Sequence, residues 1–336
     1  MTAVAVPSGQ AAIRWRRWLV RHGWTVGVWV LLVGLIAWYS TLIPRFGNFT
    51  MASIAKNSLP TAYLAIAQAV VVIAGGLDLG VGGMMVLANA TSALLMEGEG
   101  FGMTLLIAAA VIGGAALANG IVGWVIVTSR VPDIVVTLAT LFIFSGIGLM
   151  VLPSPGGGTS GGFRRIFTGS SSGVGTNYWP SLVALAVPLA LVAAWLARSR
   201  RGLSLYAAGS HPIAAYLSGV DTRRAKITAY AISGALAALA GLAVTAITAN
   251  GDARFNNAAN GTLNSVAAVV LGGIALTGGV GSVIGAVAAG VILFVLNPIL
   301  TALGINPNTS QVIQGLVIVG VMAMAGLLEL RRRRTE

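Results

Sequence analysis

Apolar residues run in long blocks along this chain, and short polar segments marked by Gly, Pro or charge cut the blocks apart. The first block extends from Trp24 to Ile43, the length of a helix that crosses a bilayer. Others run over Leu59–Ala74, Leu77–Met96, Met103–Thr128, Ile134–Leu152, Ser181–Ala197, Ile227–Ala249, Asn264–Thr277, Val283–Leu303 and Gln311–Leu328. The pattern predicts an all-α membrane protein, a polytopic bundle of about ten transmembrane helices.

The cuts set the expected topology. Arg14, Arg16, Arg17 and Arg21 crowd the tail 1–23, Arg331 to Arg334 fill the tail 331–336, and Arg198, Arg200, Arg201, Arg223, Arg224 and Lys226 border a central polar loop, 198–226. Under the positive-inside rule these three segments are cytoplasmic, and a membrane domain, 24–330, lies between the tails. Pro44 to Asn57, Glu97 with Glu99, and the Asn-rich 250–263 fall outside. Residues 153–180 are Gly- and Ser-rich and read as an external loop without a core of its own, although Arg164 and Arg165 sit there against the charge rule.

Two blocks are interrupted in similar ways. Gly75-Gly76-Leu77-Asp78-Leu79-Gly80-Val81-Gly82 and Gly278-Gly279-Val280-Gly281-Ser282 each follow a shorter apolar run and precede a longer one. Such an echo predicts two related halves with Gly-broken helices beside a central pathway. Gly76, Gly80, Gly82, Gly279 and Gly281 are the expected break residues. Asp78 lies between apolar runs, where a charge costs about 2.5–3.5 kcal/mol, so it is read as the cap of a broken helix. A proton relay would need a second buried acid or His, and His22 and His211 both fall in cytoplasmic segments.

Within the central loop, His211 to Gly219 reads as a short amphipathic helix. Pro212 suits its first turn, apolar residues recur at Ile213, Tyr216, Leu217 and Val220, and Gly219 can end it. Ala214 and Ala215 would allow close approach, with Ala215 facing water or a partner.

Composition narrows the class. Of 336 residues, 57% are hydrophobic and only 8% charged, far below the roughly 25% of soluble domains. The 45 glycines suit close helix packing in lipid. The net charge of +12 sits at the ends of apolar blocks, where it orients the chain and meets anionic lipid; this distribution argues against nucleic acid as a partner. Cysteine is absent, and no catalytic or metal-binding set assembles from the His and acidic residues. No G-x-x-x-x-G-K-[ST] phosphate loop is present, so no cofactor is expected on this chain and any ATP would be hydrolysed elsewhere. Asn89, Asn119, Asn264, Gln68 and Thr137 are neutral polar residues within apolar blocks. They could line a path for a polar solute, or simply join helices by hydrogen bonds.

The stretch GLSLYAAGSHPIAAYLSGVDTRRAK resembles the coupling loop of ABC-importer permeases of the ribose/xylose/autoinducer-2 class. Gly202, Tyr206, Ala207, Gly209, Ala214, Ala215, Ser218, Gly219 and Lys226 stand in matching places, and His211 replaces the usual Asn. GGLDLGVGGMMVLA is similar to that family's G-G-I-D-L-S-V-G-x-x-M-A-L-A, with Gly80 for Ser. VPDIVVTLATLFIFSGIGLMV, LNSVAAVVLGGIALTGGVGSVIGA and QVIQGLVIV also match in order, with Ser145 in place of an Arg and Thr262-Leu263-Asn264 in place of Glu-Leu-Asp. The resemblance implies a non-catalytic permease subunit in a bacterial plasma membrane, importing a monosaccharide or similar small polar solute. It implies pairing with a second copy or a sister permease, and delivery of solute by an extracytoplasmic binding protein. It further implies a cytoplasmic ATPase, carrying ATP and Mg, seated on Ser210, His211, Pro212, Ile213, Ala214, Ala215, Tyr216, Leu217 and Gly219. A stand-alone secondary transporter or channel is the alternative; it would need coupling charges in the membrane, and only Asp78 is at hand.

Overall fold

The computed structural model describes residues 8–306, 308–317, 319, 320 and 323, with side chains from residue 23 onward except at 255. It is 78% helix, and no strand occurs among the described residues. The helices are α1 (Ser8–Leu42), α2 (Asn48–Asn57), α3 (Leu59–Ile73), α4 (Val81–Leu95), α5 (Phe101–Ser129), α6 (Asp133–Val151), α7 (Gly161–Thr168), α8 (Trp179–Arg198), α9 (Arg200–Ser210), α10 (Pro212–Leu217), α11 (Thr222–Thr248), α12 (Phe255–Leu271) and α13 (Val283–Ala302). Residues 308–317 are helical as well.

Among the described residues, six stretches are long and apolar enough to cross a bilayer: Gly23–Leu42, Phe101–Ser129, Asp133–Val151, Trp179–Arg198, Thr222–Thr248 and Val283–Ala302. The other expected spans differ in length. Helices α3, α4 and α12 hold 15, 15 and 17 residues; glycine-rich turns end α3 and α12 and delay the start of α4. Of the block Gln311–Leu328, positions 318, 321, 322 and 324–328 lie outside the described residues. Short helices and non-helical backbone survive at membrane depth where protein surrounds them. Accordingly α3 is buried along nearly all its length. The most apolar windows of α11 and α13 are 61% and 67% buried, against 17% in α1 and 11% in α8. The core is therefore α3, α4, α11, α12 and α13, and the apolar side chains of α1, α5 and α8 face outward, where lipid is as good a solvent as protein.

Both short entering helices close in the same way. At the end of α3, Gly75 N–H bonds the Val72 carbonyl (2.9 Å) and Gly76 N–H the Val71 carbonyl (3.0 Å), with Gly75 at φ +74°. At the end of α12, Gly273 N–H bonds Val270 (3.0 Å) and Ile274 N–H bonds Val269 (3.1 Å), with Gly273 at φ +83°. This paired 6→1 and 5→2 arrangement needs a left-handed residue, which glycine supplies without strain. Gly75 and Gly273 thus do the same work at the two helix ends, and α12 ends at Leu271 rather than at Thr277. It also starts earlier, so that much of the polar 250–263 stretch is helical.

Residues 153–180 are not coreless. They contain α7, capped where Ser160 Oγ accepts from Phe163 N–H, and α7 buries Phe163 and Phe167 against the bundle. Arg164 donates to the carbonyls of Ala246 (3.0 Å) and Ile247 (3.2 Å), the last turn of α11. A cation on unpaired C-terminal carbonyls is favourable whichever side of the membrane it occupies. One further device holds α8. Pro188 has no N–H for the carbonyl of Ala184, one turn earlier, and the buried Tyr63 hydroxyl donates to that carbonyl at 2.7 Å instead.

Candidate functional site

Three places assemble the candidate residues. The first is α10, at one end of the bundle. Its chain entry is set by Ser199 Oγ, which accepts from Gly202 N–H (2.8 Å) and starts α9, and by Pro212 in the first turn of α10. Its exit is a third 6→1 and 5→2 closure, Val220 N–H to Ala215 and Gly219 N–H to Tyr216, with Gly219 at φ +84°. Six residues thus hold Ile213, Tyr216 and Leu217 outward at 79%, 71% and 80% exposure. Ser210, His211, Pro212, Ala214 and Gly219 are exposed too. Ala215 is not: it is 6% exposed and faces the chain's own interior, opposite the three large side chains, which corrects the expectation that it faces water or a partner.

The second place lies just beneath, where α9 meets both glycine-rich breaks. Gly279 N–H donates to the Ile73 carbonyl at 2.9 Å. Tyr206 O–H donates to the Gly281 carbonyl at 3.1 Å, and Ser210 O–H lies 3.4 Å from the Gly279 carbonyl. A Cβ on Gly209 would strike the Ile73 carbonyl, so three chain segments touch backbone to backbone. Beside this junction Asp78 is 1% exposed. Its Oδ1 accepts from Gly80 N–H (2.9 Å), while Oδ2 accepts from Asn119 (3.0 Å) and Ser233 (2.8 Å). Gly80, not Asp78, is the residue preceding α4; Asp78 satisfies its backbone through a two-residue side-chain turn. Thr137 O–H reaches the carbonyls of Asp133 (2.8 Å) and Leu77 (3.2 Å), and Asp133 pairs with Lys226 at 2.8 Å. Gly82 does not break a helix. It sits in the first turn of α4, where an added Cβ would collide with the Ala258 carbonyl of α12.

The third place is a cavity of about 380 Å³ at the opposite end, among α3, α4, α11 and α12. Its polar lining is Asn89, Asn250, Asp252, Asn257, Asn260 and Asn264, with Thr61 and Thr248. Asn89 and Asn264 thus line one space, whereas Asn119 and Thr137 belong to the Asp78 junction. Gln68 is fully buried in α3, and neither of its amide atoms has a hydrogen-bond partner. Asn89 is committed to protein contacts: its Nδ2 donates to Thr245 Oγ1 (2.9 Å) and the Asn250 carbonyl (3.1 Å), and its Oδ1 accepts from Asp252 N–H (2.8 Å). Asp252 is held ionised below the usual carboxylate range, chiefly by the Arg254 guanidinium that binds it. Asn250, Asp252, Asn257 and Asn260 were not singled out in the sequence, where they lie in a polar stretch; the density of Asn there was the available signal.

These features together define a multi-pass helical membrane protein with a polar cavity at one end and an exposed apolar helix at the other. Residues 50–322 match the family described as "Branched-chain amino acid transport system / permease component", and the chain belongs to that family. It is 30% identical over 300 residues to the ribose import permease protein RbsC of Escherichia coli (strain K12), covering 86% of this chain and 90% of that one. With the protein of the same name from Bacillus subtilis (strain 168) it shares 29% over 301 residues, 88% and 90% of the two chains. With the autoinducer 2 import system permease protein LsrD of Escherichia coli O9:H4 (strain HS) it shares 27% over 308 residues, 90% and 92%. No solved structure matches the chain.

Proposed function

We propose that this chain is the membrane subunit of an ATP-driven importer for a neutral monosaccharide, with ribose the first solute to test. The observation that carries the reading is α10, a six-residue helix that holds Ile213, Tyr216 and Leu217 out of the fold. Large apolar side chains raised on a short capped helix suit a groove on a partner. In this reading the partner is a cytoplasmic ATPase that holds ATP and Mg, both termini are cytoplasmic, and the membrane is the bacterial plasma membrane. A second permease copy or a sister chain completes the pathway, and a binding protein delivers solute to the end that carries the polar cavity. The two glycine-rich breaks, touching α9, would then sit at the cytoplasmic end of the path. The stand-alone transporter reading asks Asp78 to carry a moving charge, and its carboxylate is instead engaged by three donors.

The test is purification of the complex with its ATPase from a strain carrying the whole importer. Replacing Tyr216 and Leu217 together with Asp should leave the permease helical and abundant in the membrane. It should abolish both ATPase recovery and ribose-stimulated hydrolysis. Equal recovery and equal stimulation with the double variant would refute the reading.

A further inference from the structure

We infer that the groove between α7 and α8 is a binding site for an acyl chain of an anionic phospholipid, whose headgroup phosphate pairs with Arg165. The groove holds about 600 Å³ and is walled by Ile166, Phe167, Val183, Val187, Pro188 and Leu239. It lies on the bilayer side of the fold, since α8 buries only Ser181 and Leu196, and it reaches in to Leu239 on α11. Gaps larger than a water molecule are few in a close-packed chain, so a space of this size has an occupant. Water does not suit it. A held water needs two to four polar partners, and the Tyr63 hydroxyl on this wall is already spent on the Ala184 carbonyl. The one amide, Asn177, stands exposed at the mouth, where its Oδ1 accepts from Trp179 N–H (3.2 Å).

Length and charge say what the occupant is. Along α8 the wall runs from Trp179 to Pro188, about 14 Å at 1.5 Å per residue. One leaflet of hydrocarbon is about 15 Å thick, so the groove matches a single acyl chain. Trp179, exposed at its mouth, is the residue type that marks the membrane–water interface. Beside the mouth, α7 turns Phe163 and Phe167 to the core and leaves Arg165, next to Ile166 of the wall, exposed. No carboxylate pairs with Arg165 among the described residues. Its neighbours add charge of the same sign. Arg164 is held by the carbonyls of Ala246 and Ile247, and Lys56 donates to the Gly173 carbonyl at 2.6 Å. Burial, and after it the charge of Arg164, lower the pKa of Lys56, as expected where cations gather without an acid. Unpaired cations at the head of an apolar groove suit a molecule with an anionic head and an apolar tail. Nothing in this site depends on which solute the chain carries.

The test reconstitutes the purified full chain in vesicles of equal parts phosphatidylglycerol and phosphatidylethanolamine. After gentle extraction, native mass spectrometry counts the phospholipids that stay bound. One per chain should remain, with phosphatidylglycerol favoured about fivefold, the worth of one cation near the surface. Val187→Trp fills the groove and should release the lipid while helicity is unchanged. Leu182→Trp adds a ring to α8 outside the groove wall and should retain it. Arg165→Gln should bring the two lipids to about equal occupancy with the total unchanged. If Val187→Trp fails to fold, the smaller filling Val183→Phe takes its place, with the same loss expected. Retention of the lipid in the filled variant, or an equal loss in Leu182→Trp, would overturn the site. So would an unsubstituted chain that holds no phospholipid, or a headgroup preference unmoved by Arg165→Gln. A filled variant that keeps its lipid count and instead loses a dimer would overturn it too, and would give the groove to a second copy of the chain.

Discussion

The hydroxyl of Tyr63 offers a clean measurement of how this fold tolerates a proline in a spanning helix. Pro188 interrupts α8 and leaves the Ala184 carbonyl without its helical donor. Tyr63, fully buried in α3, donates to that carbonyl at 2.7 Å. The surrounding groove, about 600 Å³, is lined by Ile166, Phe167, Trp179, Val183, Val187 and Leu239 among others, so little polar matter stands ready to replace the hydroxyl. Tyr63→Phe keeps the ring and removes one oxygen. An unmade buried partner costs about 1–3 kcal/mol, while interhelical hydrogen bonds in bilayers average about 0.6 and reach about 1.7 kcal/mol, so a loss of about 1–2 kcal/mol is expected. The second half of the experiment identifies the cause. Pro188→Ala restores an N–H to the Ala184 carbonyl, and in that background Tyr63→Phe should cost less than about 0.5 kcal/mol. The assay is reversible unfolding in mixed micelles, following helicity for all four proteins. An equal cost of Tyr63→Phe with and without Pro188 would show that the hydroxyl does not serve the proline-freed carbonyl.

Three further substitutions, at two positions, probe the core by the same assay. Asp78→Asn should cost less than about 1 kcal/mol, because Asn119 can turn its unpartnered Oδ1 toward the new amide, whereas Asp78→Leu strands the Ser233, Asn119 and Gly80 donors and should cost about 2–4 kcal/mol. A larger loss with Asn than with Leu would mean that the charge, not the hydrogen bonding, is what matters. Gly82→Ala would drive a Cβ into the Ala258 carbonyl and to 2.5 Å from Thr262 Oγ1. It should part α4 from α12 and cost about 1–3 kcal/mol, and full stability would show that the two helices have room to move.

Much of this protein was legible one residue at a time. Hydrophobic blocks as long as a bilayer is thick marked the outer helices, because lipid-facing helices must be apolar along their whole length. Local turn chemistry marked α10, since Pro212 and Gly219 act through their own backbone torsions whatever surrounds them. Glycine was harder. Gly75 and Gly273 end helices through left-handed torsions, Gly82 lies inside one and serves close packing, and Gly209 lets three segments touch. The residue type is the same, and only the neighbouring backbone tells these uses apart. The same limit explains Ala215, which looks like part of an exposed apolar helix until the opposite face is seen to be buried. It explains Arg164 too, whose partners lie on α11, some eighty positions away in the chain. Polar residues inside apolar blocks were visible from composition, but whether each is spent or free was not. Asn89, Asn119 and Asn264 are engaged by residues far along the chain, and the unpartnered oxygen of Asn250 is defined by what fails to reach it. Hydrogen-bond satisfaction is a property of assembled neighbours, so it belongs to the tertiary structure alone.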